Sequence, residues 1–153
     1  MLNIVLYQPE IAMNTGNVGR TCSVTGSRLH LVRPLGFVID DKRLARAGMD
    51  YWHSLDVSFY DNFEDFMSKN NSPKVYMVET DARLRYTDVA FERGAYLMLG
   101  SESAGIPTSI QQSYDATTIR IPMRDGFRSL NLASCAAAVI YEALRQHDFP
   151  GLT

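Results

Sequence analysis

Short apolar runs alternate with longer stretches of mixed apolar and polar residues along the whole 153-residue chain. The runs are rich in Val, Ile, Leu and Tyr and are bounded by Gly, Pro, Asp or Ser, a pattern that predicts β-strands. The predicted strands cover residues 2–7, 29–32, 56–60, 75–79, 96–99 and 118–122.

Helices are predicted between these runs. Asn14 is expected to cap a helix that ends near Gly26, and Asp61 is expected to cap a helix over residues 62–69. The second of these helices would carry three large apolar side chains on one face, namely Phe63, Phe66 and Met67.

The Ala-rich segment 132–146 is the clearest helix, with Ser129 or Asn131 as its N-cap, and residues 42–47 form a shorter candidate. Strands that alternate with helices predict an α/β fold with a mostly parallel sheet flanked by helices. Because no linker, repeat or low-complexity tract interrupts the pattern, we expect one domain over residues 1–153.

The composition is that of an ordinary soluble protein, with 46% hydrophobic and 21% charged residues. No apolar run approaches the ~18 residues that a membrane span needs. Residues 1–7 read as a first strand and not as a signal peptide, so the cytoplasm is the expected compartment.

The cysteines and histidines are scattered along the chain, which argues against a metal centre. A zinc site needs about four ligands at short local spacings. The two cysteines and three histidines of the chain do not have such spacings. These residues are Cys22, Cys135, His30, His53 and His147. We therefore expect free, at least partly buried thiols and no metal.

The net charge of −2 conceals a local excess of basic residues. Two clusters stand out, at Arg20, Arg28, Arg33, Lys42, Arg43 and Arg46, and at Arg120, Arg124 and Arg128. A phosphate backbone responds to such a patch and not to the net charge, although an ordinary solvated surface would look the same.

Three polar, glycine-bearing segments follow predicted strands, which is where α/β proteins place ligands. The first, at residues 14–20, opens a helix whose free amides attract anions. It has only Gly16 and Gly19 and no Lys-Ser/Thr pair, so it is neither a dinucleotide-binding fingerprint nor a P-loop. A dehydrogenase is accordingly disfavoured.

The second segment spans residues 97–107, where a strand runs into Gly100 and a ligand could approach the backbone closely. Glu102 can accept hydrogen bonds from loop amides and so fix the shape of the loop. Ser101 and Ser103 lack the GxSxG spacing and a histidine partner, which argues against a serine hydrolase. The third segment, residues 119–132, joins a strand to the Ala-rich helix and predicts only a small-molecule site.

Three motifs therefore follow one another in a fixed order: NTGNxxR at 14–20, GxExxGxP at 100–107, and IPM with RSLNL at 121–132. With these motifs the chain resembles the SPOUT superfamily of methyltransferases. Its short length and residues 40–51 and 138–143 are similar to the minimal subfamily, the tRNA (cytidine/uridine-2′-O-)-methyltransferases of the wobble nucleotide. The resemblance covers essentially the whole chain.

The resemblance implies a deep trefoil knot in the C-terminal part of the fold, which is a rare exception among proteins. It also implies a homodimer in which the partner subunit completes each site, and a bent S-adenosyl-L-methionine (SAM) held largely by main-chain groups. Carried over by motif, the positions that contact SAM are Val78, Glu79, Thr80, Gly100, Glu102, Ile121, Met123, Ser129, Leu130 and Asn131.

The implied reaction is SAM-dependent 2′-O-methylation of cytidine or uridine 34 in the anticodon loop of tRNA, with Arg20 and Asn14 as the catalytic residues. An arginine pKa above ~12 makes Arg20 a poor base, so we expect it to orient the ribose hydroxyl or to stabilise the developing oxyanion. A phosphate anchor is the alternative for this side chain. Two other functions stay open: 2′-O-methylation elsewhere on tRNA or rRNA, and a non-catalytic RNA-binding module.

Five basic residues are expected to hold the anticodon-loop phosphates, and they are Lys42, Arg43, Arg46, Arg124 and Arg128. Tyr51, Trp52 and Tyr141 are candidates for base stacking or for an interface, with core packing as the alternative for each. For Tyr141, on the last predicted helix, the preferred use is the dimer interface.

Overall fold

The structure is a computed structural model that describes residues 1–39, 51–114 and 116–153. The helix predicted at residues 42–47 lies outside these ranges. Within them, no helix has the length and the apolar character needed to cross a membrane.

Strands and helices alternate in this part of the chain. The strands are β1 (Asn3–Tyr7), β2 (Arg28–Val32), β3 (Val57–Tyr60), β4 (Val75–Val78), β5 (Leu84–Arg85), β6 (Tyr96–Leu99) and β7 (Thr117–Arg120). The helices are α1 (Ala12–Thr25), α2 (Phe63–Lys69), α3 (Thr108–Ser113) and α4 (Leu132–Arg145), with a 3₁₀ turn at Trp52–Ser54. Each predicted strand corresponds to an observed one, whereas β5 and α3 were not predicted.

The described strands form a seven-stranded sheet in the order β3-β2-β1-β6-β4-β7-β5. Each adjacent pair in this sheet is parallel, which confirms the predicted sheet type. Because the strands run in one direction, their carboxyl ends meet at one edge of the sheet. The loops that follow β1, β4, β6 and β7 are therefore neighbours in space.

Both faces of the sheet are covered, so the fold has three layers. On one face Ile4 and Leu6 of β1 pack in a cluster that includes Val18 of α1 and Ile140 of α4. On the other face Val5 of β1 packs in a second cluster, which contains Phe63, Phe66 and Met67 of α2 as the sequence predicted. Alternate residues of a strand thus serve opposite layers.

The start of α1 differs from the prediction. The N-cap is Ile11 and not Asn14, which lies inside the first turn and is 7% exposed. Its side chain is bonded to residues distant in sequence, as described below, and so does not cap its own helix. At the other end Gly26 takes the predicted role, with a left-handed φ of 65° and an amide that donates to the carbonyl of Cys22.

The caps of α2 and α4 follow local side-chain chemistry. Asn62, not the predicted Asp61, caps α2 by accepting a hydrogen bond from the amide of Asp65. Asn131 caps α4 and accepts hydrogen bonds from the amides of Ala133 and Ser134. It is one of the two N-caps that the sequence predicted.

Candidate active site

A cavity of about 420 Å³ opens at the carboxyl edge of the sheet, between the loops that follow β1, β4, β6 and β7. This volume lies in the range of small-molecule sites. Each of the ten positions that the resemblance assigned to SAM lines this cavity, namely Val78, Glu79, Thr80, Gly100, Glu102, Ile121, Met123, Ser129, Leu130 and Asn131. The structure thus brings together three segments that are far apart in sequence, whereas contact with SAM stays a prediction.

The cavity has further lining residues that the sequence did not single out. Most lie inside the same motifs, including Leu99, Ala104 and Gly105. Cys135 is different, because it lies one helical turn beyond the N-cap Asn131 and carries no motif signal of its own. The one signal in the sequence that could have predicted its place beside Asn131 is the spacing of four residues, which is about one turn of α4.

Gly100 is required by the packing of its own loop. A Cβ atom at this position would lie 2.1 Å from the carbonyl carbon of Gly105 and 2.4 Å from the amide nitrogen of Ile106. Backbone of the same loop therefore fills the space that a side chain would need, and close approach of a ligand to the Gly100 backbone stays a prediction. Any side chain at position 100 would push the loop apart.

Two carboxylates join the loop after β1 to the loop after β6. Glu102 accepts hydrogen bonds from the amides of Glu10, at 2.8 Å, and Ile11, at 3.3 Å, next to the start of α1. In return the carboxylate of Glu10 accepts from the amide and the hydroxyl of Ser103, at 2.8 and 2.6 Å. Glu102 thus accepts hydrogen bonds from backbone amides, but they belong to the loop after β1 and not, as predicted, to its own loop. It satisfies amides next to the start of α1 that have no partner within the helix.

Asn14 connects this pair of loops to the third motif. Its Nδ2 donates to Oε1 of Glu102 at 3.0 Å, and its Oδ1 accepts from Nδ2 of Asn131, also at 3.0 Å. A carboxylate only accepts, so the amide orientation of Asn14 is fixed by Glu102. These contacts make Asn14 suited to hold the site together. Its predicted catalytic role stays a prediction.

Arg20 is exposed on α1 and is not among the residues that line the cavity. Its guanidinium carbon lies 4.5 Å from the ring centroid of Tyr51, in a cation–π contact. The hydroxyl of Tyr51 in turn donates to the carbonyl of Gly16. Of the aromatic residues considered, Tyr51 thus contacts α1, and Trp52, at 7% exposure, belongs to the core.

Burial shapes the electrostatics of the cavity wall. The carboxylate of Glu79 accepts a 2.7 Å hydrogen bond from the amide of Ile106. Burial raises the pKa of Glu79, the nearby charge of Asp81 adds to this increase, and the Ile106 amide opposes it. Burial also raises the pKa of Cys135 to about 11, with a further contribution from Glu79. Both cysteines are free thiols, as expected.

The predicted RNA-binding residues fall into three groups. Arg128 lines the cavity and donates from Nη2 to the carbonyl of Ser103 at 2.7 Å, whereas Arg124 is exposed on the same loop. The other three, Lys42, Arg43 and Arg46, lie outside the described residues. Tyr141 is 46% exposed on α4, where an interface stays a prediction.

Within the described ranges, no group of three or more His, Cys, Asp or Glu residues is arranged to hold a metal ion.

The parallel α/β sheet with a cavity at its carboxyl edge places the chain among the α/β proteins that bind small molecules at that edge. Comparison with known proteins narrows this class. Residues 1–141 match the SpoU rRNA methylase family. The chain belongs to this family and is a methyltransferase. A solved AdoMet-bound rRNA methyltransferase from Sinorhizobium meliloti shares the fold. It is 25% identical, with a TM-score of 0.80 over 94% of this chain and 56% of that one.

Nearer relatives match at full length. The tRNA (cytidine(34)-2′-O)-methyltransferase of Escherichia coli K12 is 44% identical over 99% of this chain and 97% of its own length. A solved structure described as giving insights into the 2-OH methylation of C/U34 on tRNA is 40% identical. It has a TM-score of 0.90 and covers 97% of both chains.

Proposed function

We propose that this protein transfers a methyl group from SAM to the ribose 2′-oxygen of the wobble nucleotide, cytidine or uridine 34, in tRNA. The observation that carries the proposal is the gathering of all three motifs around one cavity. The substrate follows from relatives of the same length, since the chain has 99% of its residues aligned with the Escherichia coli cytidine-34 enzyme. We treat residues 1–153 as a single methyltransferase domain.

The residues present fit SAM. Apolar side chains of Val78, Ile121 and Leu130 give the cavity walls suited to an adenine ring. The carboxylate of Glu79 and the backbone of the loop after Gly100 offer acceptors and donors to the polar parts. When bound, SAM supplies an electrophilic methyl group on a positively charged sulfur, and it leaves as S-adenosyl-L-homocysteine.

The chain's own task is to hold a ribose hydroxyl in line and to accommodate the charge that develops as its proton leaves. Arg20 is the residue that we assign to this task. Its guanidinium is a planar group of hydrogen-bond donors, so it donates to the oxygen and stabilises the developing negative charge. Asn14 contributes indirectly, because its hydrogen bonds to Glu102 and Asn131 hold the motifs of the site together.

Assembly follows from the position of Arg20. The cavity of one chain does not include this residue, so a reacting oxygen there needs a guanidinium from elsewhere. We propose a homodimer in which Arg20 of the partner subunit reaches the cavity. Exposed apolar side chains on α1 and α4 support this arrangement, namely Ile11 beside α1, Met13 on α1 and Tyr141 on α4. The compartment is the cytoplasm, where tRNA is the substrate.

Two inactive variants test the shared site. Arg20→Ala removes the guanidinium, and Ile121→Trp fills the cavity with an indole. Random mixing of the two should restore about a quarter of the wild-type activity, because half of the dimers then carry one intact site built from both chains. Activity that stays absent in the mixture, with mixed dimers confirmed by mass spectrometry, would contradict a site completed by the partner.

The C-terminal part of the chain is proposed to form the deep trefoil knot. This proposal rests on membership of the family, and its topological setting is β4, which lies between the later strands β6 and β7. On the tRNA side, Arg124 and Arg128 are proposed to hold anticodon-loop phosphates, together with Lys42, Arg43 and Arg46.

The function is tested by mapping 2′-O-methylated nucleosides in tRNA incubated with the purified protein and SAM. We expect methylation at position 34 only. Methylation at another position of tRNA or on rRNA would show that position 34 is not the substrate. SAM binding without transfer to any RNA would indicate a non-catalytic module. Arg20→Ala should lower the single-turnover rate about 10²–10³-fold at saturating tRNA, with binding of tRNA nearly unchanged.

A further inference from the structure

The turn at residues 51–55 packs closely against the glycine-bearing face of α1. Trp52 and Leu55 are 7% and 8% exposed. A Cβ atom added at Gly19 would lie 3.2 Å from side-chain carbons of both. The absence of a side chain at Gly19 thus lets the turn lie against the helix directly beside Arg20.

The side chain of Tyr51 makes two contacts with α1, one through its hydroxyl and one through its ring. Its hydroxyl donates to the carbonyl of Gly16, which in an α-helix is also the acceptor for the amide of Arg20. Its ring lies under the guanidinium of Arg20, with 4.5 Å between the guanidinium carbon and the ring centroid. The aromatic ring is therefore anchored on the same helical turn that carries the arginine.

We propose that Tyr51 is a positioning residue that sets the orientation of the Arg20 guanidinium for methyl transfer. The proposal rests on the proposed function, in which Arg20 acts on the ribose 2′-oxygen. A guanidinium is planar, and stacking one face on a ring fixes the plane in which its N–H groups donate. A donor that is already oriented needs little rearrangement as negative charge develops on the oxygen.

Stacking on an RNA base is the competing use of the Tyr51 ring. In that case the ring would contribute to tRNA affinity, and the rate of the bound complex would not depend on it. A positioning residue has the opposite signature, because its loss lowers the rate at saturating substrate and leaves both dissociation constants near the wild-type values. The two uses are therefore separated by kinetics and binding measured on the same variants.

Tyr51→Leu removes the ring and Tyr51→Phe removes only the hydroxyl. We expect Tyr51→Leu to lower the single-turnover methylation rate about 3–30-fold, the range of a cation–π contact. Tyr51→Phe should stay within about threefold of the wild-type rate, since it keeps the ring. Phe59→Leu is the matched control, because Phe59 also lies under an arginine, at 5.4 Å, but that arginine, Arg33, has no part in the proposed reaction.

A double-mutant cycle decides whether Tyr51 acts through Arg20. In the Arg20→Ala background, Tyr51→Leu should add no further loss of rate. An equal additional loss in that background, a wild-type rate for Tyr51→Leu alone, or a loss confined to tRNA affinity would each overturn the proposal.

A readout without catalysis separates this inference from the proposed function. The Nε–H group of Arg20, followed by ¹⁵N relaxation in each protein, should be equally rigid in the wild type and in Tyr51→Phe and more mobile in Tyr51→Leu. Unchanged rigidity in Tyr51→Leu would overturn positioning even if the enzyme methylates position 34. If the wild type transfers no methyl group while the relaxation result holds, the proposed function fails and the orientation of Arg20 by Tyr51 stands.

Discussion

The side-chain amide of Asn14 donates a 3.0 Å hydrogen bond to Glu102, 88 positions later in the chain. Because Asn14 also accepts from Asn131, this single side chain links the three motifs around the cavity. The polarity of the network is set by the carboxylate, which only accepts.

Exchanging the polarity of the Asn14–Glu102 pair tests the network. Asn14→Asp places a second carboxylate against Glu102, and we expect SAM affinity to fall about tenfold or more, roughly 1.4 kcal/mol. Adding Glu102→Gln should recover part of that loss, because the glutamine amide can donate to Asp at position 14. Calorimetric titration with SAM measures each step. A double variant that binds more weakly than Asn14→Asp would show that the pair does not interact in this way.

Gly100 and Gly26 provide a matched pair of glycine variants. Gly100→Ala should abolish SAM binding, because the added carbon would lie 2.1 Å from the backbone of Gly105. Gly26→Ala has no atom within 4 Å of the added carbon but keeps a φ of +65°. It should lower the free energy of unfolding by about 1 kcal/mol and leave SAM binding intact. Binding of SAM by Gly100→Ala at wild-type affinity would contradict the crowded loop.

Arg124 and Arg128 should behave differently although they lie on one loop. Arg128 donates to the carbonyl of Ser103, so Arg128→Ala should weaken the binding of both SAM and tRNA. Arg124→Ala should weaken only tRNA binding and lower the salt dependence by roughly one counterion. Titrations at several salt concentrations distinguish the two, and equal SAM affinity in both variants would refute the role given to Arg128.

The stability of the protein should depend on pH through His30. This side chain is 4% exposed and lies within hydrogen-bonding distance of Tyr60 and Asn3. Burial, together with a smaller contribution from the charge of Arg28, lowers its pKa to about 4, and the charge of Asp56 opposes both. In the unfolded chain the pKa is about 6.5, so between these values only the unfolded state binds the proton.

The stabilisation from neutral His30 is thus complete above about pH 6.5 and is lost as the pH falls towards 4, by up to about 3 kcal/mol. Urea unfolding of the wild type and of His30→Gln across this interval measures the effect. The wild type should lose more stability on acidification than the variant. Parallel curves for the two proteins would show that His30 does not contribute.

The reactivity of Cys135 reports on occupancy of the cavity. Its pKa of about 11 leaves few thiolates at pH 8, so alkylation should be slow. S-adenosyl-L-homocysteine should slow it further by covering the cavity wall. Cys22, with a pKa raised to about 12 by burial, serves as the internal control that reacts only on unfolding. Mass spectrometry assigns each label. If the ligand does not protect Cys135, it binds outside this cavity.

The sequence predicted the strands that carry a continuous apolar run and the helices that carry a broad apolar face. It did not predict β5, which has two exposed residues, or α3, which buries none, because neither has a hydrophobic signature. Strand order was also beyond the sequence, since β4 gains its neighbours β6 and β7 only by tertiary packing.

The site was predicted through motifs and not through local rules. Each position that the resemblance assigned to SAM lines the cavity, yet the local rule for helix caps placed Asn14 wrongly. The reason is that Glu102 and Asn131, at separations of 88 and 117 residues, compete successfully for its amide. Likewise, nothing near Gly100 in sequence indicated that Gly105 would fill the space beside it.

The link between Asn14 and Asn131 has a consequence for the chain during its synthesis. The two halves of this contact are made 117 residues apart, and the later one caps the helix that covers one face of the sheet. A nascent chain that has released β1 and α1 but not α4 leaves part of that face uncovered and the ligand pocket without one wall. The pocket should therefore become able to bind its ligand only after α4 has folded onto the sheet.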